Sequence, residues 1–196
     1  NAFNGCSSLK KINIPSSVTS IGCYAFYGCT SLTEIDISSF VTSIGECAFR
    51  LCSSLKEISI PCFVSSIKDF TFYGCTSLEK ISIPSSIKSI GECAFLKCSS
   101  LLSINIPSSV NRIGDSTFYE CTSLKDVVIP SSITSIGERA FYHCSSIVEI
   151  SIPSSVTSIG KSSFEGCSSM QKISIPSSIK SIECFGISDS TEIVRI

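Results

Sequence analysis

Phe3, Phe26, Phe49, Phe72, Phe95, Phe118, Phe141 and Phe164 recur every 23 residues without an insertion or deletion. A fixed period of this length means an array of one small structural unit, because self-similarity at 20–50 residues is the mark of a solenoid or related repeat. Cys6, Cys29, Cys52, Cys75, Cys98, Cys121, Cys144 and Cys167 keep the same spacing. Three residues further on come Leu9, Leu32, Leu55, Leu78, Leu101, Leu124, Ile147 and Met170. Such columns point inward. One unit has too few inward residues to offset the entropy of ordering it, so stability has to come from stacking Phe on Phe and Ile on Ile between neighbours.

Periodicity changes within each unit and predicts the local structure. In Ile81-Ser82-Ile83 β-branched residues alternate with polar ones, the grammar of a half-buried strand, and Pro84 ends the ladder because it has no N–H to donate. Ile87-Lys88-Ser89-Ile90 reads as a second short extended piece. Between Gly91 and Leu101, apolar Ala94, Phe95, Cys98 and Leu101 fall at offsets 0, 1, 4 and 7, which predicts one short helix per unit. The fold class expected is therefore α/β, a solenoid of about eight and a half units. Parallel strands form one face and short helices the other, with curvature because a helix is thicker than a strand.

The segment Leu78-Glu79-Lys80-Ile81-Ser82-Ile83 reads L-x-x-I-x-I and continues as I-P-S-S-V-x-S-I-G-x-x-A-F-x-x-C across the chain. This resembles the BspA-like, Treponema-type 23-residue leucine-rich repeat, over essentially the whole chain. The resemblance implies a cell-surface or secreted binding protein or adhesin. Departures include Ser38 for Pro, Lys68 and Glu183 for Gly, Thr71, Thr117 and Ser163 for Ala, and Ile187 and Ser190 in place of Phe and Cys. Residues 183–196 form the most altered unit. In it, Ile193 and Ile196 fit the Leu and Ile columns, so the single solenoid of residues 1–196 is expected to be a window on a longer chain, the rival being a degenerate terminal cap.

Composition narrows the function. Fifteen Lys+Arg against 16 Asp+Glu, thinly spread, offer no basic field for a nucleic acid. There is no apolar run long enough to insert in a membrane. The only His, His143, precedes Cys144, a pairing that suggests a thiol nucleophile. His143 nevertheless occupies a slot filled elsewhere by Gly28, Leu51, Gly74, Lys97, Glu120 and Gly166, and Cys144 belongs to the core column. No C-x-x-C, G-x-S-x-G or phosphate-binding loop occurs, so no enzyme, metal or cofactor is expected.

Cys29, Cys52, Cys75, Cys98, Cys121 and Cys144 are read with Phe26, Phe49, Phe72, Phe95, Phe118 and Phe141 as structural core, a ladder of buried thiols. Cys23, Cys47, Cys62, Cys93 and Cys184 are scattered extras among 13 Cys in all, a pattern leaning toward a reducing compartment. An intracellular scaffold is thus the alternative to a surface location. Candidate interfaces for a protein partner are two. The outward strand slots include Lys11, Glu34, Glu57, Lys80 and Glu149, although these charges also serve merely to solvate the sheet. The slot after the Phe column holds Tyr27, Arg50, Tyr73, Tyr119 and Tyr142, residue types that anchor interfaces, unless each ring folds over the next rung.

Overall fold

The structure, a computed structural model, describes residues 1–196. The chain winds as a solenoid whose longer strands are Lys11–Ile14, Glu34–Ile37, Glu57–Ser59, Lys80–Ser82, Ser103–Asn105, Asp126–Val128, Glu149–Ser151, Lys172–Ile175 and Glu192–Arg195. Their recorded pairings are all parallel, with Ile12 opposite Ile35, Ile58 opposite Ile81 and Ile150 opposite Ile173. A second set of two-residue strands, such as Ser20–Ile21, Ser43–Ile44 and Ser66–Ile67, lies after each corner and also pairs in parallel. The corner is closed by a turn bond, as where the Ile87 N–H donates to the Pro84 carbonyl at 3.1 Å. Many Ser side chains brace it further: Ser86 donates to Val64 and Ser132 to Val110 of the preceding rung at 2.7 and 2.6 Å.

The helices expected after each Gly do not form, and the fold is a β-solenoid without helices. In the segment read as helical, Cys93 and Lys97 both take positive φ, 53° and 62°, which a right-handed helix forbids. Alternate N–H groups leave the unit altogether: Cys93, Phe95 and Lys97 donate to the carbonyls of Asp115, Thr117 and Tyr119 on the next rung. Between them Leu96, Cys98 and Leu101 donate to the residue three back, to Cys93, Phe95 and Cys98. The Phe–Cys–Leu spacing of three is therefore a chain of tight turns, which places the same side chains inward as a short helix does.

Ring spacing gives the physical reason. Successive Phe rings stack 5.1–5.6 Å apart between centroids and within 16° of parallel. Paired strands stand about 4.8 Å apart, whereas a helix with side chains is about 10 Å wide. One helix per rung has no room at that spacing. A stack of turns has room and supplies a third inter-rung hydrogen-bond ladder. The ring stack exceeds the usual strand spacing by less than 1 Å per rung, so the helix thickness expected to curve the coil is absent.

The inward columns form one continuous core in which Phe49, Phe72, Phe95, Phe118 and Phe141 are fully buried. The Cys column does more than fill space. Each thiol from Cys29 to Cys167 donates to the carbonyl of the Phe on the preceding rung at 3.1–3.2 Å, as Cys98 does to Phe72. The last unit corrects the sequence register: Ile193 pairs with Ile173, not Met170, and Arg195 pairs with Ile175. Ile193 thus stands in the Ile column, and the final turn of the coil is three residues shorter than the others.

Candidate functional site

The turn edge carries the densest group of rigid side chains. Its slots are aimed outward because the neighbouring positions are inward Phe and Cys. Tyr27, Arg50 and Tyr73 sit on three successive rungs, all half-buried. The Arg50 guanidinium lies 4.5 Å from the Tyr73 ring centroid and 5.7 Å from those of Tyr27 and Phe70. Tyr24 and Phe70, at φ 56° and 55°, tilt against Tyr27 and Tyr73 at 5.9 and 6.3 Å. Neither was legible as a site residue; their signal is an aromatic side chain at a position that adopts the left-handed conformation on every rung from Tyr24 to Ser162.

Leu96 separates this group from a second. Tyr119 and Tyr142 stack at 4.7 Å and 10°, and His143 tilts on Tyr142 at 4.5 Å. Burial and the adjacent Glu120 carboxylate raise the Tyr119 phenol above its usual value. Leu51, Lys97, Glu120 and His143 all hold positive φ where other units have Gly. Lys97 and Glu120 form an ion pair at 3.9 Å. The His143–Cys144 pair makes no nucleophile: the fully buried Cys144 thiol donates to the Phe118 carbonyl and desolvation holds it well above its ordinary range.

On the strand face Lys11 and Glu34 pair at 2.5 Å, both well exposed. Glu34, Glu57 and Lys80 line an open depression of about 640 Å³, floored by Ile35, Ile58 and Ile81 and edged by Asp36, Ser59 and Ser82. Four of the five strand-face candidates therefore come together. Glu149 stands apart, in register with Lys172. Further along, the same face exposes Leu102, Val128 and Val148.

Two other features escaped sequence reading. Phe40 and Phe63, 59% and 64% exposed, occupy the corner position where Ser86, Ser132 and Ser155 donate to a carbonyl of the rung before. The departure from Pro-Ser-Ser at both corners was the available signal. Glu46, Asp69, Glu92, Asp115 and Glu138 form a column on successive rungs, in which Asp69 and Asp115 accept the Glu92 and Glu138 N–H groups at 2.8 Å.

With the geometry in place, comparison with known proteins assigns the chain. The BspA type leucine rich repeat region matches in six copies over residues 1–102 and 88–196. The chain belongs to the BspA-type leucine-rich-repeat family. Its similarity to a Treponema pallidum leucine-rich repeat protein is 30% identity over 82% of this chain and 77% of that one, with a TM-score of 0.75. The pneumococcal vaccine antigen PcpA has the same fold at 21% identity and TM-score 0.60, over 96% of this chain and 57% of that one. No curated protein matches this chain. As a leucine-rich-repeat protein it has a fold suited to a protein-binding scaffold, and no helix in it is long and apolar enough to cross a membrane.

The thiol ladder predicts an alkaline limit for this member of the family. Burial raises the Cys52 and Cys167 thiols from an ordinary 9.0 to about 12, and Cys75, Cys98 and Cys144 are also well above it. A thiol kept neutral by the fold stabilises it fully below the unfolded value, and that stability is lost as pH rises from about 9 toward 12. The urea midpoint should hold between pH 7 and 8 and fall steeply by pH 10.5; a flat profile would contradict the ladder. At pH 8 a maleimide should label exposed Cys6, Cys23, Cys62 and Cys184 rapidly and reach the column only after unfolding.

Proposed function

We propose that the chain is a non-enzymatic scaffold that binds another protein through its turn edge, at Tyr27, Arg50, Tyr73, Tyr119 and Tyr142. The observation that carries this reading is the contrast between columns. Inward positions repeat nearly unchanged, while the outward turn slots gather aromatic rings and one guanidinium into two compact groups on a rigid backbone. Tyr and Arg bury large surface with little loss of freedom and dominate protein interfaces. The depression at Glu34, Glu57 and Lys80, with Lys11 beside it and Glu149 beyond, is the second candidate surface. Membership of the family supports adhesion at the cell surface as the finer version.

A photo-crosslinking amino acid placed at Tyr73 or Tyr119 should capture a protein in intact source cells, whereas the same group at Ser131, on a Pro-Ser-Ser corner, should not. Capture from position 57 or 80 with none from the turn edge would move the interface to the sheet. Tyr73→Ala with Tyr119→Ala should abolish capture while lowering stability by no more than about 1–2 kcal/mol, the worth of the ring stacking these side chains supply. Thirteen free thiols, four of them exposed, favour the second reading, an intracellular scaffold docked on a larger assembly. Labelling of intact cells with a membrane-impermeant biotin reagent separates the two: labelling supports the adhesin, and labelling only after lysis supports the scaffold.

A further inference from the structure

One buried side-chain nitrogen in the whole chain lacks a hydrogen-bond partner, Nε of Arg50. None of the four ion pairs involves this residue. Its guanidinium is instead bracketed by the rings of Tyr73, Tyr27 and Phe70 at 4.5, 5.7 and 5.7 Å. Ring contact satisfies the faces of a guanidinium and orients it; with Nε covered by the protein, the outer Nη groups are the donors left unused. A guanidinium oriented by three rings with its outer Nη pair free is preorganised for a planar, bidentate acceptor, which is the geometry of a carboxylate.

The surroundings narrow the ligand. Glu46, Asp69, Glu92, Asp115 and Glu138 run along a neighbouring column, in which Glu92 and Glu138 are paired with Arg112 and Arg139 at 3.6 Å while Glu46, Asp69 and Asp115 have no cationic partner. A polyanion approaching Arg50 meets the unpaired carboxylates of Glu46, Asp69 and Asp115 and is repelled. A single carboxylate flanked by cations gains from both features, since the flanking charges face the acidic column. We propose that Arg50, framed by Tyr27, Phe70 and Tyr73, receives one Asp or Glu side chain from a partner protein's segment whose neighbouring residues are Lys or Arg. This inference rests on the turn edge being the interface, and names what that interface recognises.

The test uses the full chain and two tripeptides, acetyl-Lys-Glu-Lys-amide and acetyl-Lys-Gln-Lys-amide, with affinities taken from isothermal titration calorimetry and the contact located by NMR of the arginine Nε–H signals. The Glu peptide should shift the Arg50 signal saturably and bind at least about tenfold more tightly than the Gln peptide, as expected for a charge-assisted bidentate pair. Arg50→Gln should remove the difference, and Arg139→Gln should leave it. If Arg50→Gln disturbs folding, Arg50→Lys serves instead: it keeps the charge but loses the fork, and the preference should shrink severalfold. Equal affinity for both peptides overturns the proposal, as does tighter binding of inorganic phosphate than of the Glu peptide. Crosslinking from Tyr73 that persists alongside a silent Arg50 signal removes the carboxylate assignment and spares the interface. A Glu-specific shift without any crosslinked protein supports the site and removes the interface.

Discussion

Phe95→Ala should destabilise the solenoid by about 3–5 kcal/mol, the usual loss when a buried Phe is truncated and its site cannot collapse. Phe95 is fully buried and stacked between Phe72 at 5.5 Å and Phe118 at 5.6 Å. Its backbone is pinned on both sides as well, since its N–H donates to Thr117 and its carbonyl accepts both the Cys98 N–H and the Cys121 thiol. The rungs therefore cannot close over the void. Urea unfolding checks this, and a midpoint equal to that of the parent chain would refute the stacked column. Phe3→Ala, at the end of the stack where the ring is only half-buried, should cost much less.

Gly160→Ala should be comparably damaging, about 3 kcal/mol or more, at a position with no side chain to lose. A Cβ there would stand 2.4 Å from the Glu138 nitrogen and 2.6 Å from the Gly137 carbonyl carbon, both backbone atoms of the rung below. Gly45, Gly91 and Gly137 meet the same obstruction. The backbone cannot yield without breaking the bond from the Gly160 N–H to the Ile136 carbonyl at 2.8 Å. Gly114 is the internal control. Its Cβ would meet nothing nearer than 3.3 Å, and those atoms belong to the side chains of Glu92 and Thr117. Gly114→Ala should change stability by less than about 1 kcal/mol, and thermal unfolding of the two variants side by side tests the contrast.

The candidate surfaces were legible only in part. Tyr27, Arg50, Tyr73, Tyr119 and Tyr142 announce themselves because they vary in a slot flanked by constant residues. Tyr24 and Phe70 complete the first group from a column that also holds Cys47 and Cys93, so residue type alone did not mark it. Phe40 and Phe63 look like two more apolar residues in an apolar-rich repeat. Their exposure follows from the corner geometry, which turns that position away from the core.

The repetition is legible in the residues alone: the period, the inward columns, the parallel strand after each Leu, and stacking as the source of stability. These follow from side-chain chemistry recurring at one spacing, which only an array of like units can bury. Helix against turns was decided by the tertiary structure. Ala94, Phe95, Cys98 and Leu101 face inward in either conformation, so their spacing cannot distinguish them. The stacking distance can, because rings 5.1–5.6 Å apart exclude a helix on every rung, and the N–H groups of Cys93, Phe95 and Lys97 then find their partners on the next rung. The short final unit was decided in the same way. Ile193 fits two columns by its chemistry, and pairing with Ile173 selects the one that continues the strand ladder.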